Sequence, residues 1–224
     1  MLLQLKNISK GYGEQGTHSF RPVLGELNLE IKKGERLSIV GPSGSGKTTL
    51  LNLIGALDRP DSGEIYFEGT NVTSYSKNEL AAFRNQHLGF VFQLHHLMPQ
   101  LTLWENVLLP VLPLGKVTKA QEEWAEHLIK KVGIWEQKDQ KPSEMSGGEC
   151  QRTAVVRSLI NKPELILADE PTGNLDPENG RIVLSALAEY AAGGAAVLVV
   201  THHENADHFA DLKFQLIDGK LQSA

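Results

Sequence analysis

The chain has 224 residues, a length that suits one large α/β domain or two small ones, and with 41% hydrophobic residues it can bury a core, which argues against general disorder. With 27 acids against 22 bases, the formal net charge of -5 disfavours a general binder of phosphate backbones, and nucleic acid is not expected as a partner. The one cysteine, Cys150, excludes an intramolecular disulfide framework and a Cys-rich zinc site, which fits a reducing compartment such as the cytoplasm.

Residues 1–6 lack the basic start and apolar centre of a signal peptide, and apolar runs such as 101–113 are too short and broken to span a bilayer. Any work at a membrane is therefore expected through a partner. Residues 2–8 and 27–31 alternate apolar and polar side chains, as half-buried antiparallel strands do. Residues 37–40 form a short, mostly apolar run before a cluster of glycines, the pattern of a buried parallel strand. The runs 165–168 and 196–200 are of the same kind, and each ends in polar residues, as parallel strands do when they present chemistry at their carboxyl ends.

Helical periodicity follows the glycines at Leu50, Leu51, Ile54 and Leu57, and recurs at Trp124, Leu128, Ile129 and Val132. Between about 76 and 161 the patterns are mostly helical, with a core strand expected only over 88–93. Asp218-Gly219, between the apolar runs 214–217 and 220–221, signals a two-residue hairpin and an antiparallel edge at the end of the chain. With no linker-like stretch or internal repeat, the reading is one domain over 1–224. It has an α/β core, about 1–75 and 162–224, with a parallel sheet and an antiparallel β part, and a mainly helical part over about 76–161.

Gly41-Pro42-Ser43-Gly44-Ser45-Gly46-Lys47-Thr48, followed by Thr49, fits the pattern G-x-x-x-x-G-K-[ST] between a short apolar strand and an apolar-periodic helix. Such a loop points successive backbone N–H groups at one anion, the helix dipole adds to the attraction, and Lys47 reaches terminal phosphates while Thr48 holds Mg²⁺. The run 165–168 ends in Asp169 and Glu170. Asp169 is placed to help hold the metal, and Glu170 to orient and deprotonate a water for in-line attack on a γ-phosphate. Asn161-Lys162-Pro163-Glu164 is read as a loop, because it precedes the acidic strand and ends in Glu.

A second serine-glycine-glycine helix start, Ser146-Gly147-Gly148-Glu149 followed by Gln151-Arg152, offers a further anion site. With it, nearly the whole chain resembles the ATP-binding subunits of ABC transporters, in which Ser146 to Glu149 match the signature motif. The resemblance implies a P-loop NTPase core of the RecA-like type carrying a helical insertion. It also implies a head-to-tail homodimer in which the signature of one copy closes over the ATP·Mg²⁺ held by the other, driving an integral membrane permease. It assigns Tyr12 to stacking on adenine, Gln93 to the loop that contacts Mg²⁺ and relays closure, Asp176 to a loop crossing the dimer interface, and His202 to the γ-phosphate and the attacking water.

Two positions depart from the pattern: Met145 stands where the signature usually begins with leucine, and His203 stands where relatives commonly carry an acid. His202 is taken as the working histidine and His203 as a solvated loop residue. The neighbouring pairs His95-His96 and His202-His203 are not read as transition-metal ligands, and Cys150 is expected to pack without a redox role. Residues 172–176 and 84–93 resemble the branch that includes lipoprotein-releasing and macrolide-exporting ATPases, and 95–99 with 105–107 are closest to the lipoprotein-releasing member. The implied place is the cytoplasmic face of the inner membrane, reached through the permease. The alternatives are a macrolide or peptide exporter, a cell-division or regulatory complex that transports nothing, and a soluble ATPase of repair or translation.

Overall fold

The computed structural model describes residues 1–14, 16, 19–202 and 209–223. The strand β1 (Leu3–Tyr12) pairs antiparallel with β2 (Arg21–Ile31), and the next strand is β3 (Arg36–Val40). After the helix α1 (Lys47–Ile54) come β4 (Ser62–Phe67), on the other side of β1, and the short β5 (Thr70–Asn71). These give a four-stranded antiparallel sheet in the order β2-β1-β4-β5.

The apolar alternation in this sheet changes parity, and the backbone shows why. Leu3 and Leu5 are buried, yet so is Ile8, and the pairing with β2 slips between Leu5 and Ile8, where Asn7 adopts φ 52°. In β2 the buried set is Leu24, then Leu27, Leu29 and Ile31, with Glu26 at φ 48°. One extra residue at a bulge turns the rest of a strand over, so both sequences return their leucines to the same face.

The helix α2 (Lys77–His87) leads into β6 (Leu88–Val91), and after the helices α3 (Leu103–Leu108), α4 (Lys119–Lys131) and α5 (Gly147–Leu159) comes β7 (Leu165–Asp169). The helix α6 (Pro177–Ala192), then β8 (Ala196–Thr201), β9 (Leu212–Ile217) and β10 (Lys220–Ser223), complete the chain. The second sheet has the order β10-β9-β3-β8-β7-β6, parallel from β9 to β6. The turn between β9 and β10 is Asp218-Gly219, with φ 47° and 72°.

Strands β7 and β8 are apolar without alternation because both faces are covered. Leu165, Leu167, Ala196, Leu198 and Val200 face a core shared with α1 and the antiparallel sheet. Ile166, Ala168, Val197 and Val199 face a second core built with α3, α4, α5 and α6. The molecule is thus layered, with the parallel sheet between an antiparallel sheet on one side and helices on the other.

Two boundaries differ from the sequence reading. α1 ends at Ile54 with Gly55 as its cap, so Leu57, placed in its apolar repeat, lies beyond it and is exposed. The segment 76–91, counted with the helical part, joins the core: Leu80 and Phe83 of α2 pack in the first cluster, and β6 pairs in register with β7. β6 is brought close to α5 at Gly89, where a Cβ would lie 2.5 Å from the carbonyl oxygen of Ser158. Backbone cannot yield as a flexible side chain can, so we expect Gly89→Ala to destabilise the chain by about 1–3 kcal/mol, measured by denaturant unfolding.

Candidate functional site

Because β3, β8, β7 and β6 run parallel as neighbours, their carboxyl ends leave the sheet at one edge. The register sets Val40 beside Thr201, Val200 beside Asp169, and Ala168 beside Val91. The glycine loop after β3, the acids ending β7, His202 after β8 and Gln93 after β6 therefore converge without any long-range coincidence.

In the loop 41–48, Gly46 caps α1 with φ 103° and lies against Val23 and Leu24 of β2, a position closed to a larger residue by both conformation and space. The Lys47 ammonium donates to the carbonyl oxygens of Gly41 at 2.7 Å and Pro42 at 3.0 Å, which folds the side chain back over the loop. The buried Ser45 hydroxyl has no protein partner. An open cavity of about 370 Å³ at the mouth of the loop is lined by Pro22, Val23, residues 42–45, Asp218 and Gly219. Thr49 occupies the third position of α1, behind Lys47 and Thr48.

The Thr48 hydroxyl donates to Asp169 Oδ2 at 3.1 Å, bringing the first turn of α1 onto the end of β7. A hydroxyl and a carboxylate oxygen side by side form a hard, oxygen-only donor set, which suits Mg²⁺. The carboxyl pKa of Asp169 is raised from its ordinary value, first by burial and then by the neighbouring Glu170 charge, with Thr48 and Lys47 opposing.

Glu170 is buried and has the left-handed φ of 47°, which turns its side chain away from Asp169 and toward the end of β8. Its Oε2 accepts the Thr201 hydroxyl at 2.7 Å, and its Oε1 accepts the backbone N–H of His202 at 2.8 Å and lies 2.5 Å from His202 Nδ1. Two adjacent acids so serve different neighbours. His203, the alternative to His202, lies outside the described residues.

Gln93 is exposed, with its amide beside Gly173 in the loop that follows Glu170. Tyr12 is the last residue of β1 and half exposed; its hydroxyl donates to Asp58 Oδ2 at 3.3 Å, and Lys10 Nζ stands 5.3 Å from the ring centroid.

Ser146 to Glu149 start α5, on the helical side of the sheet. The Ser146 hydroxyl accepts the Glu149 N–H at 3.3 Å, and Glu149 Oε2 accepts the Ser146 N–H at 2.7 Å, a reciprocal cap that holds an exposed helix start rigid. The Glu149 carboxyl pKa is lowered by these bonds. Gly148 packs against Asn179 of α6 rather than against the glycine loop. Asp176 caps α6: it accepts the N–H groups of Glu178 and Asn179 at 3.0 and 2.9 Å, which hold its carboxyl below the usual range. In this arrangement Asp176 faces its own helix.

Two residues of the site were given no task of their own in the sequence, Gln151 being named only as following the Ser-Gly-Gly start. Thr201 reads there only as the end of an apolar strand, although its hydroxyl grips Glu170. Gln151, in the first half of α5, is buried and reaches both Phe92 and Pro171. A polar residue on the apolar face of α5 was the available signal.

The family model described as "ABC transporter" matches residues 24–173. The lipoprotein-releasing system ATP-binding protein LolD of Francisella tularensis subsp. tularensis (strain SCHU S4 / Schu 4) is 44% identical over 224 residues, covering 99% of this chain and 96% of the relative. The protein of the same name from Saccharophagus degradans is 47% identical over 203 residues, covering 90% and 88%. Among solved structures, a dimeric post-hydrolysis state of the ATP-binding cassette MJ0796 bound to ADP and Pi superposes with a TM-score of 0.90 at 37% identity, covering 99% of this chain and 98% of that one.

Two outcomes follow from these adjacent acids. Thr201→Val leaves a buried acceptor on Glu170 without its donor and should cost about 1–3 kcal/mol in urea unfolding, whereas Thr201→Ser should restore most of it. Since the Asp169 carboxyl pKa is raised above 3.8 on folding, the folded chain binds more protons there than the unfolded chain. Stability is therefore lost as pH rises through that interval, and the penalty persists at neutral pH. Asp169→Asn should melt higher than the parent at pH 7, with the gap closing as pH falls toward 3.8; a lower melting temperature at pH 7 would contradict this account.

Proposed function

The chain belongs to the ABC transporter family, and on that premise we propose that it is the ATP-hydrolysing subunit of a lipoprotein-releasing type of transporter. On this reading it works as a homodimer at the cytoplasmic face of the inner membrane. The observation that carries the proposal is the convergence of the glycine loop, the Asp169-Glu170 pair, Gln93 and His202 at one sheet edge, together with a second capped helix start on the helical side of the sheet.

In the proposed site the loop N–H groups of 43–48 and the Lys47 ammonium hold the β- and γ-phosphates, and the ring of Tyr12 stacks on adenine. Thr48 and Asp169 are the residues that would hold Mg²⁺, with Gln93 completing the set; the ion, when bound, neutralises charge on the phosphate oxygens. Glu170 accepts a proton from water as the water oxygen bonds to the γ-phosphorus and the bridging bond to the β-phosphate breaks, releasing ADP and phosphate. His202 steadies Glu170 through the 2.5 Å approach of Nδ1 and meets the γ-phosphate. Ser146, Gly147, Gly148 and Glu149 would close over the nucleotide of a second copy, whose Asp176 loop lies at the same interface. The likeness to a dimeric cassette supports this pairing.

Among the described residues no helix is long and apolar enough to cross a membrane. The exposed Leu94 and Met98, flanking His95 and His96, and the exposed Leu112 and Leu114 are the apolar residues that we assign to contact with the permease. Exposed apolar side chains in such number are costly to leave in water and favourable to cover.

Lys47→Ala should lower kcat/KM for ATP by about 10²–10³, since it removes charge stabilisation at the phosphates. Glu170→Gln should lower kcat by about 10²–10⁴ while ATP binding persists. Steady-state phosphate release and nucleotide titration check both, and near-parental turnover in either variant would refute the site. Isolation of the chain from membranes in mild detergent, with identification of the permease bound to it, tests the lipoprotein-releasing assignment.

A further inference from the structure

Gln151 lies on the buried side of α5, five residues after Ser146, and is 4% exposed. Its amide nitrogen donates to the carbonyl oxygen of Phe92 at 3.0 Å and to that of Pro171 at 3.1 Å. Phe92 immediately precedes Gln93, and Pro171 immediately follows Glu170. The ladder between β6 and β7 is paired through Val91 and Ala168, so both carbonyls belong to residues beyond its end, Phe92 directly after it and Pro171 in the loop that leaves β7. The single amide spends its two N–H groups joining two loops at the point where the sheet no longer joins them.

The same helix holds the first of these loops a second time. Arg157 donates from its two terminal nitrogens to the carbonyl oxygens of His96 and His95, each at 2.7 Å. A displacement of α5 therefore pulls on 92–96 at two places and on Pro171 at one. A buried amide whose carbonyl partners move independently of it is left unpaired, so α5, the Gln93 loop and the Glu170 exit favour moving as one body.

We propose that Gln151 is a positioning residue that transmits engagement of the α5 helix start to Gln93 and Glu170 of the same chain, and so couples the two nucleotide sites of a dimer. The inference rests on the reading of Ser146 to Glu149 as half of a second copy's site. In a dimer each α5 start meets the other copy's nucleotide, while each Gln151 reports that contact to its own Glu170. Coupling of this kind is energetic and shows in cooperativity.

The test uses the full chain carrying Gln151→Met, which keeps the length of the side chain and lacks both donors. Nucleotide affinity, titrated with ATP in the presence of EDTA, should stay within about two-fold of the parent, while kcat for ATP hydrolysis falls about ten-fold and the Hill coefficient of hydrolysis drops towards one. Loss of affinity and turnover in equal measure, or a parental kcat and Hill coefficient, would overturn the coupling role. Absence of hydrolysis in the parent would instead refute the underlying reading. Should the methionine variant fail to fold, hydrogen exchange on the unmodified chain decides: on adding a non-hydrolysable ATP analogue with Mg²⁺, segments 92–96 and 170–173 should gain protection together. Protection of one without the other would overturn the proposal.

Discussion

Strands β7 and β8, covered on both faces, carry polar side chains only at their carboxyl ends, and the chemistry of this chain follows from that constraint. Leu165 to Ala168 and Ala196 to Val200 alternate between two apolar cores, one toward α1 and the antiparallel sheet, the other toward the helices. The first polar groups along β7 are Asp169 and Glu170, and the first along β8 is Thr201. Because the strands are parallel and in register, those groups arrive at the same edge as the glycine loop.

Concentrating charge there has a cost that the structure distributes. Asp169 and Glu170 are adjacent acids, the first partly and the second fully withdrawn from water. The left-handed turn at Glu170 separates their carboxylates, sending one to Thr48 of α1 and the other to Thr201 of β8 and His202 after it. Hydroxyl and amide donors supply part of the solvation that burial removes. What burial leaves uncompensated is visible in the raised Asp169 pKa, an expense borne by the folded state at a position where a cation would relieve it.

α5 is the second organising element. Its exposed first turn carries Ser146 to Glu149, its buried face carries Gln151 and Cys150, and its far end carries Arg157. Cys150 packs with Leu97, Ala154 and Met145, so the thiol sits among apolar neighbours, and burial pushes its pKa up, away from reactivity. Arg152 reaches Asn179 of α6, which also bonds Asp176, so the same helix is tied to the loop after β7 from the other side. A helix held at so many points behaves as a rigid lever rather than as a soft covering.

Much of this was legible in the sequence where a local pattern has a local cause. The glycine loop between an apolar strand and a helix, the acids ending an apolar run, the capped Ser-Gly-Gly start and the Asp-Gly hairpin each depend on neighbours a few residues away. What the tertiary structure alone decided depends on distant partners. The bulges at Asn7 and Glu26, which restore leucines to one face, are set by pairing across strands. The place of β6 in the parallel sheet is set by its contact with β7 and by the close approach of Gly89 to α5. Asp176 turned out to cap α6, and the partners of Thr201 and Gln151 were decided by the fold, because a hydroxyl at a strand end or an amide on a helix acquires its task only from the group that folding sets opposite it.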